Sequence, residues 1–143
     1  MTVDELKDYL NSIRKHDAEI DRMNNMVRSL ESEASYITAR YGGEAVKHSR
    51  NVHATEDIIV RKIDLEHEMN AAIDSLVDMK RDVRGLFNQL SRPEYAQIMT
   101  LHYLDYLSWG KIAKVTGYAP STIKYWHVEA LKEIVKFPIF VHT

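Results

Sequence analysis

Pro120, Ser121, Thr122, Lys124, Tyr125 and His127 crowd into one short stretch, and Lys111 and Lys114 stand just ahead of it. These side chains donate and accept hydrogen bonds, but their spacing builds no nucleophile with its base. Their chemistry is recognition. Short hydroxyls can approach phosphates or base edges, Lys124 can donate to a phosphate or to guanine, and Tyr125 can pack on a sugar or a thymine methyl. If a helix starts at Pro120, its first free N–H groups add a further phosphate contact. Lys111 and Lys114 then serve as anchors on the DNA backbone, and Thr122 and His127 lie toward the flanks.

Elsewhere the chain offers little that would react. No glycine-rich phosphate loop, nucleophile elbow or metal-ligand set occurs. The run RKIDLEHEMN holds Asp64, Glu66, His67 and Glu68, with Glu56 and Asp57 upstream. Its spacing fits neither a calcium loop nor a zincin and reads as exposed helix charge. His48 and His53 read as surface histidines, and His102 as a packing or surface histidine. No metal, no cofactor and no enzymatic activity are expected; a nuclease with dispersed carboxylates is the one enzymatic option that the pattern leaves open.

The elements that must position the recognition residues are all helical. Gly 5 and Pro 3 in 143 residues, with abundant Leu, Ile, Met, Glu and Lys, leave few places for a helix to stop. Ser108 to Val135 has the outline of a helix, a tight turn and a second helix. Trp109, Ile112, Ala113 and Val115 are the expected inward face of the first. Ile123, Trp126, Ala130, Leu131 and Ile134 form that of the second, which makes Trp109 and Trp126 core residues and not base-stacking platforms. Ser108 caps the first helix, Gly117 ends it, and Pro120 opens the second, because proline has no N–H to leave unsatisfied. This is the build of a helix-turn-helix unit, whose second helix enters a DNA major groove.

Upstream, Val3, Leu6, Leu10, Ile13, Ile20, Val27, Ala34 and Tyr41 recur at three and four spacing. They predict one amphipathic helix over residues 3 to 40. Asp17, Asn24 and Glu31 make the other seam position polar, so packing against another helix of the same or a second chain is favoured over a simple zipper. Gly42 to Asn51 is expected to be a loop, in which Lys47, His48 and Arg50 read as solvated charges, with contact to a phosphate backbone as the less common alternative. A second long helix is expected from Thr55, its cap, to Leu90. Its apolar side holds Ile59, Ile63, Met69, Ile73, Leu76, Val83, Leu86, Phe87 and Leu90, and Gly85 marks a close crossing or a bend. Ser91 and Glu94 form a capping box for a helix from Arg92 to Tyr106. After Pro138 stops the last helix, the apolar tail is expected to fold back onto the core, with a subunit or partner contact as the alternative.

The expected fold is therefore all-α: a long antiparallel helical hairpin over residues 1–90, serving oligomerisation through coiled-coil packing, and a small helix-turn-helix DNA-binding domain over 91–143. Charge divides in the same way. Residues 1–90 carry 13 Lys/Arg and 17 Asp/Glu, whereas residues 91–143 carry 6 Lys/Arg and 4 Asp/Glu. The small basic excess lies with the motif, so DNA affinity is expected to be modest, salt-sensitive and multiplied by dimerisation. The chain contains no cysteine, which excludes disulfides and thiolate metal sites and suits a reducing cytoplasm. Its charged first turns leave no room for a signal or membrane-spanning segment, and no membrane association is expected.

The string YLDYLSWGKIAKVTGYAPSTIKYWHVEALKEI resembles the region of bacterial sigma factors that recognises the −35 promoter element. It resembles more closely the ArpU/RinA-type late-transcription regulators of phages and prophages in Gram-positive bacteria. The features that carry this are Tyr103, Trp109, Ile112-Ala113, Gly117-Tyr118, Ser121-Thr122, His127 and Ala130-Leu131, preceded by the charged helix IIVRKIDLEHEMNAAIDSLVDMKRDV. The resemblance covers residues 55 to 135. It implies a small DNA-binding protein in the host cytoplasm that switches on phage late genes by contacting host RNA polymerase. On this reading the partners are double-stranded DNA, a second copy of the chain and the polymerase. The alternatives are a small-terminase-like packaging protein, which also joins such a motif to long helices, and a protein-binding adaptor or anti-sigma module.

Overall fold

The computed structural model describes residues 1–41 and 48–138, and their fold is all-α, a long antiparallel helical hairpin followed by smaller helices. Helix α1 spans Val3–Tyr41 and α2 spans His48–Asn88. Thr2 begins α1: its Oγ1 accepts the Glu5 N–H at 3.1 Å and donates back to the Glu5 carboxylate at 3.2 Å, and Asp4 and Glu5 complement the positive end of the helix. Helix α2 starts earlier than expected, at His48, so Thr55 lies inside it and is not its cap. Nothing between His48 and Thr55 breaks a helix, and a good N-cap residue does not oblige one to begin. The glycine pair and Lys47 of the expected loop lie outside the described residues, as do the side chains of His48 and Arg50.

By compactness the chain divides into residues 1–16 with 76–143, and residues 17–75. In the second of these units Val27 and Ile58 are buried, and Lys62 bridges Glu31 across the hairpin at 3.3 Å and Glu66 along its own helix at 3.5 Å. The inward residue of α2 is thus Ile58. Ile59, Ile63 and Ile73, expected to face inward, are exposed. Here α2 carries two neighbouring apolar stripes, and periodicity alone does not say which one meets α1.

The first unit holds most of the buried apolar side chains. Leu6, Leu10 and Ile13 from α1, and Leu76, Val83, Leu86 and Phe87 from α2, bury together with the residues of the smaller helices. Gly85 marks no close crossing, since a Cβ there would meet nothing within 4 Å.

Helix α3 is Pro93–Met99 and continues as a π-helical segment, Thr100–Leu104, in place of the single helix expected to Tyr106. The cap also differs. Pro93 takes the first helical position, which makes Arg92 the cap without a side-chain bond, and Ser91 turns elsewhere. Its N–H and Oγ–H donate to the two Glu133 carboxylate oxygens at 2.9 and 2.6 Å, tying the entrance of α3 to the end of the last helix. A charged acceptor for two donors is a stronger bond than a local box would supply.

Helix α4, Trp109–Thr116, is capped by Ser108, whose side chain accepts the Lys111 N–H at 3.2 Å, and ends at Gly117 with φ of +80°. Helix α5, Pro120–Val135, begins at proline after the uncapped Ala119. Helix α5 packs on α3 and α4, and α4 packs on the π segment. Ile98, Met99, Ile112, Ile123, Ala130 and Ile134 are essentially inaccessible at the centre of this packing. Val115, expected inward, is 63% exposed. Its position falls off the i, i+3, i+4 stripe that Trp109, Ile112 and Ala113 share. The end of α5 leaves Phe137 half-buried; the tail from Ile139 lies outside the described residues.

One substitution type separates the two glycine environments. Gly85→Ala, in an exposed helix interior, is expected to stabilise the fold by about 1 kcal/mol. Gly117→Ala, with equal space but a left-handed backbone, is expected to destabilise it by about 1 kcal/mol. Urea unfolding followed by circular dichroism measures both, and equal signs would contradict this assignment.

Candidate nucleic-acid interface

The start of α5 is held by a cluster of four rings that the π segment makes possible. Its hydrogen bonds run one residue wider than in an α-helix, with the Asp105 N–H donating to the Thr100 carbonyl at 3.0 Å. His102 and Tyr103 lie on this widened turn. The His102 ring stacks on Trp109 of α4 at 3.8 Å with 16° between planes, and its Nδ1–H donates to the Leu107 carbonyl at 2.8 Å. The Tyr103 hydroxyl and His127 Nε2 share a hydrogen bond of 2.7 Å, and His127 closes on Trp109 at 4.5 Å. Tyr103 also meets Phe87 of α2 at 6.5 Å, which couples the cluster to the hairpin's end.

A second cluster supports the other side of α5. Trp126 meets Tyr118 edge to face at 4.8 Å and Tyr95 at 6.4 Å, with the Arg92 guanidinium 5.3 Å over its ring. Both tryptophans are half-buried in these contacts.

The turn into α4 carries a further constraint. Tyr106 adopts φ of +63°, a conformation rarely taken by a bulky side chain. Arg14 of α1 stands 5.8 Å and Lys80 of α2 5.2 Å from its ring centroid, so two cations from the hairpin flank it.

Burial sets the electrostatics. It pushes the Tyr103 hydroxyl up to about 12. It pushes His127 down to about 4, with His102 and Lys7 adding smaller repulsions. His102 is lowered by burial as well, against the opposing effect of the Leu107 carbonyl. Both imidazoles are therefore neutral near pH 7.

Against this frame the expected recognition residues separate. Pro120, Ser121, Lys124 and Tyr125 are exposed on α5, joined by Val128, and Lys111 and Lys114 are exposed on α4. None of these lysines has an acidic partner among the described residues. Thr122 is half-buried. His127 is turned inward to Tyr103 and Trp109 and acts as a brace for the helix start.

The role of one residue and the involvement of another escaped the sequence pattern. Tyr103 supplies the brace's partner, and Lys7 of α1 joins Lys124 and His127 around a recess of about 370 Å³ walled by Trp109, Pro120 and Ile123. Lys7 stands more than a hundred positions from α5, and no local spacing signals their meeting.

Among the described residues no group of three or more His, Asp or Glu could hold a metal ion, and no helix is long and apolar enough to cross a membrane. No family model, curated protein or solved structure matches the chain.

The two histidines make stability depend on pH. An unfolded His127 takes up a proton near pH 6.5 and the folded one only near 4, so the unfolded chain binds more protons between these values. Stability is fully present above pH 6.5 and falls as pH drops through that window. The thermal midpoint is expected to decline from pH 7 to pH 5, and less steeply in His127→Gln. A flat profile in the unsubstituted chain would contradict the buried neutral imidazole.

Proposed function

We propose that the chain is a sequence-specific double-stranded DNA-binding transcriptional regulator of phage or prophage late genes, of the ArpU/RinA type, acting in the bacterial cytoplasm through contact with host RNA polymerase. The observation that carries this reading is the outward face of α5. Ser121, Lys124, Tyr125 and Val128 are exposed side by side on a helix whose opposite face is buried. Hydroxyl, ammonium, phenol and methyl groups in that order suit the mixture of phosphates, base edges and thymine methyls in a major groove.

Lys111 and Lys114 support it from α4. Cations without acidic partners are available for phosphate neutralisation, whereas those held in ion pairs must first give one up. Helix α4 has eight residues and a capped start, so its lysines are presented on a fixed frame.

The hairpin supports self-association. Met26, Tyr36, Ile59, Ile63 and Ile73 are exposed along residues 17–75, a surface suited to a second copy of the chain. A dimer would hold two reading heads on half-sites related by symmetry.

The test is a salt-titrated binding assay on the late-gene promoter region of the protein's own genome, with the mass of free and bound species recorded. The expected result is sequence-selective binding by a dimer. Lys124→Ala should reduce the salt slope by about one, and Tyr125→Ala should cost about 1–3 kcal/mol of selectivity. No selective binding at low salt would sink the regulator reading. A ring of many subunits on DNA would turn it toward genome packaging.

A further inference from the structure

We propose that the recess beside the start of α5 is a binding site for a small planar aromatic anion, an aryl carboxylate or a mononucleotide. Three elements build it: Lys7 comes from α1, Trp109 from α4, and Pro120, Ile123, Lys124 and His127 from α5. Its volume of about 370 Å³ lies near the lower end for small-molecule sites, with space for an aromatic ring system and a short extension bearing one anionic group.

The lining decides the class of ligand. Trp109 and Pro120, backed by the buried Ile123, present a mainly apolar wall, suited to the body of a planar ring. Lys7 and Lys124 bring two ammonium groups, no carboxylate lines the recess, and neither lysine has an ion-pair partner among the described residues. Uncompensated positive charge beside an apolar wall repels cations and favours anions over neutral molecules. His127 adds a neutral imidazole, since burial lowers its proton affinity. Inorganic phosphate alone would satisfy the lysines and leave the wall uncovered.

The site has a regulatory consequence that rests on the DNA-binding reading. Lys124 and Pro120 belong both to the recess and to the exposed start of α5. A bound anion would engage the Lys124 ammonium, which would then be lost to phosphates, so occupancy and DNA binding are expected to oppose one another.

The experiment begins without DNA. The chain has two tryptophans, so Trp126→Phe leaves Trp109 as the sole indole emitter. That protein is titrated at fixed ionic strength with adenosine monophosphate, with benzoate and with inorganic phosphate. Expected is a saturable change in Trp109 emission with the nucleotide or benzoate, and at least about tenfold weaker binding in Lys7→Glu, as the loss of a charged contact requires. The stronger of the two organic probes identifies the source of the ligand.

No saturable response to either by about 10 mM, where an interaction is too weak to be specific, would overturn the proposal. So would an unchanged response in Lys7→Glu, or an equal one to phosphate alone. Trp126 packs on Tyr118 and Tyr95, so the same titration is followed on the unsubstituted chain by nuclear magnetic resonance. There the indole N–H signal of Trp109 should move and that of Trp126 should not. A DNA arm comes last. Displacement of DNA by the bound probe ties the site to regulation, whereas a chain that binds the probe and no DNA keeps the site and loses the regulator.

Discussion

The arrangement of the helix-turn-helix unit depends on the Tyr103–His127 hydrogen bond and the indole that both flank. It joins the π turn after α3 to the first two turns of α5, and it does so in a setting where neither ring carries charge. A hydrogen bond between neutral groups keeps its geometry best where water competes little, and here the Tyr103 side is buried while His127 is half-buried. With His102 stacked on Trp109, the same cluster sets the position of α4 as well. Helices α4 and α5 are thus referenced to one internal point.

The π turn is the backbone condition for that cluster. An α-helix through Thr100–Leu104 would place successive side chains 100° apart, whereas the wider turn advances them less and lets His102 and Tyr103 meet partners on α4 and α5. The strain of Tyr106 follows at once in the chain, where the backbone must reverse within a few residues to reach Ser108. Arg14 and Lys80 hold the resulting ring from the hairpin side. The opening of α1 and the end of α2 belong to the same compact unit as the motif.

Charge is unevenly compensated within this unit. Arg81, Arg92 and Lys132 have acidic neighbours, and their fields are locally cancelled. Lys7, Lys111, Lys114 and Lys124 have none among the described residues, and all four belong to the unit that carries α4 and α5. A chain with net charge of -2 can therefore present a positive surface, since what a polyanion meets is the local field.

Local signals along the chain were enough to place the helices and most of their ends. Heptad-like spacing gave α1, Ser108 and Gly117 bounded α4, Pro120 opened α5, and the period of 3.6 assigned Ser121, Lys124 and Tyr125 to the outside of a helix whose other side is apolar. These are local properties, set by residues within a turn of one another. Tertiary structure alone decided which stripe of α2 faces inward, that Ser91 bonds Glu133 and not its own helix, that α3 widens into a π turn, and that His127 looks inward. Each of these outcomes is a choice between locally equivalent options, made by partners far away in the chain. Lys7 shows the limit most plainly: its place beside Lys124 arises from the antiparallel return of the hairpin and the packing of three further helices, and no spacing within the sequence encodes that distance.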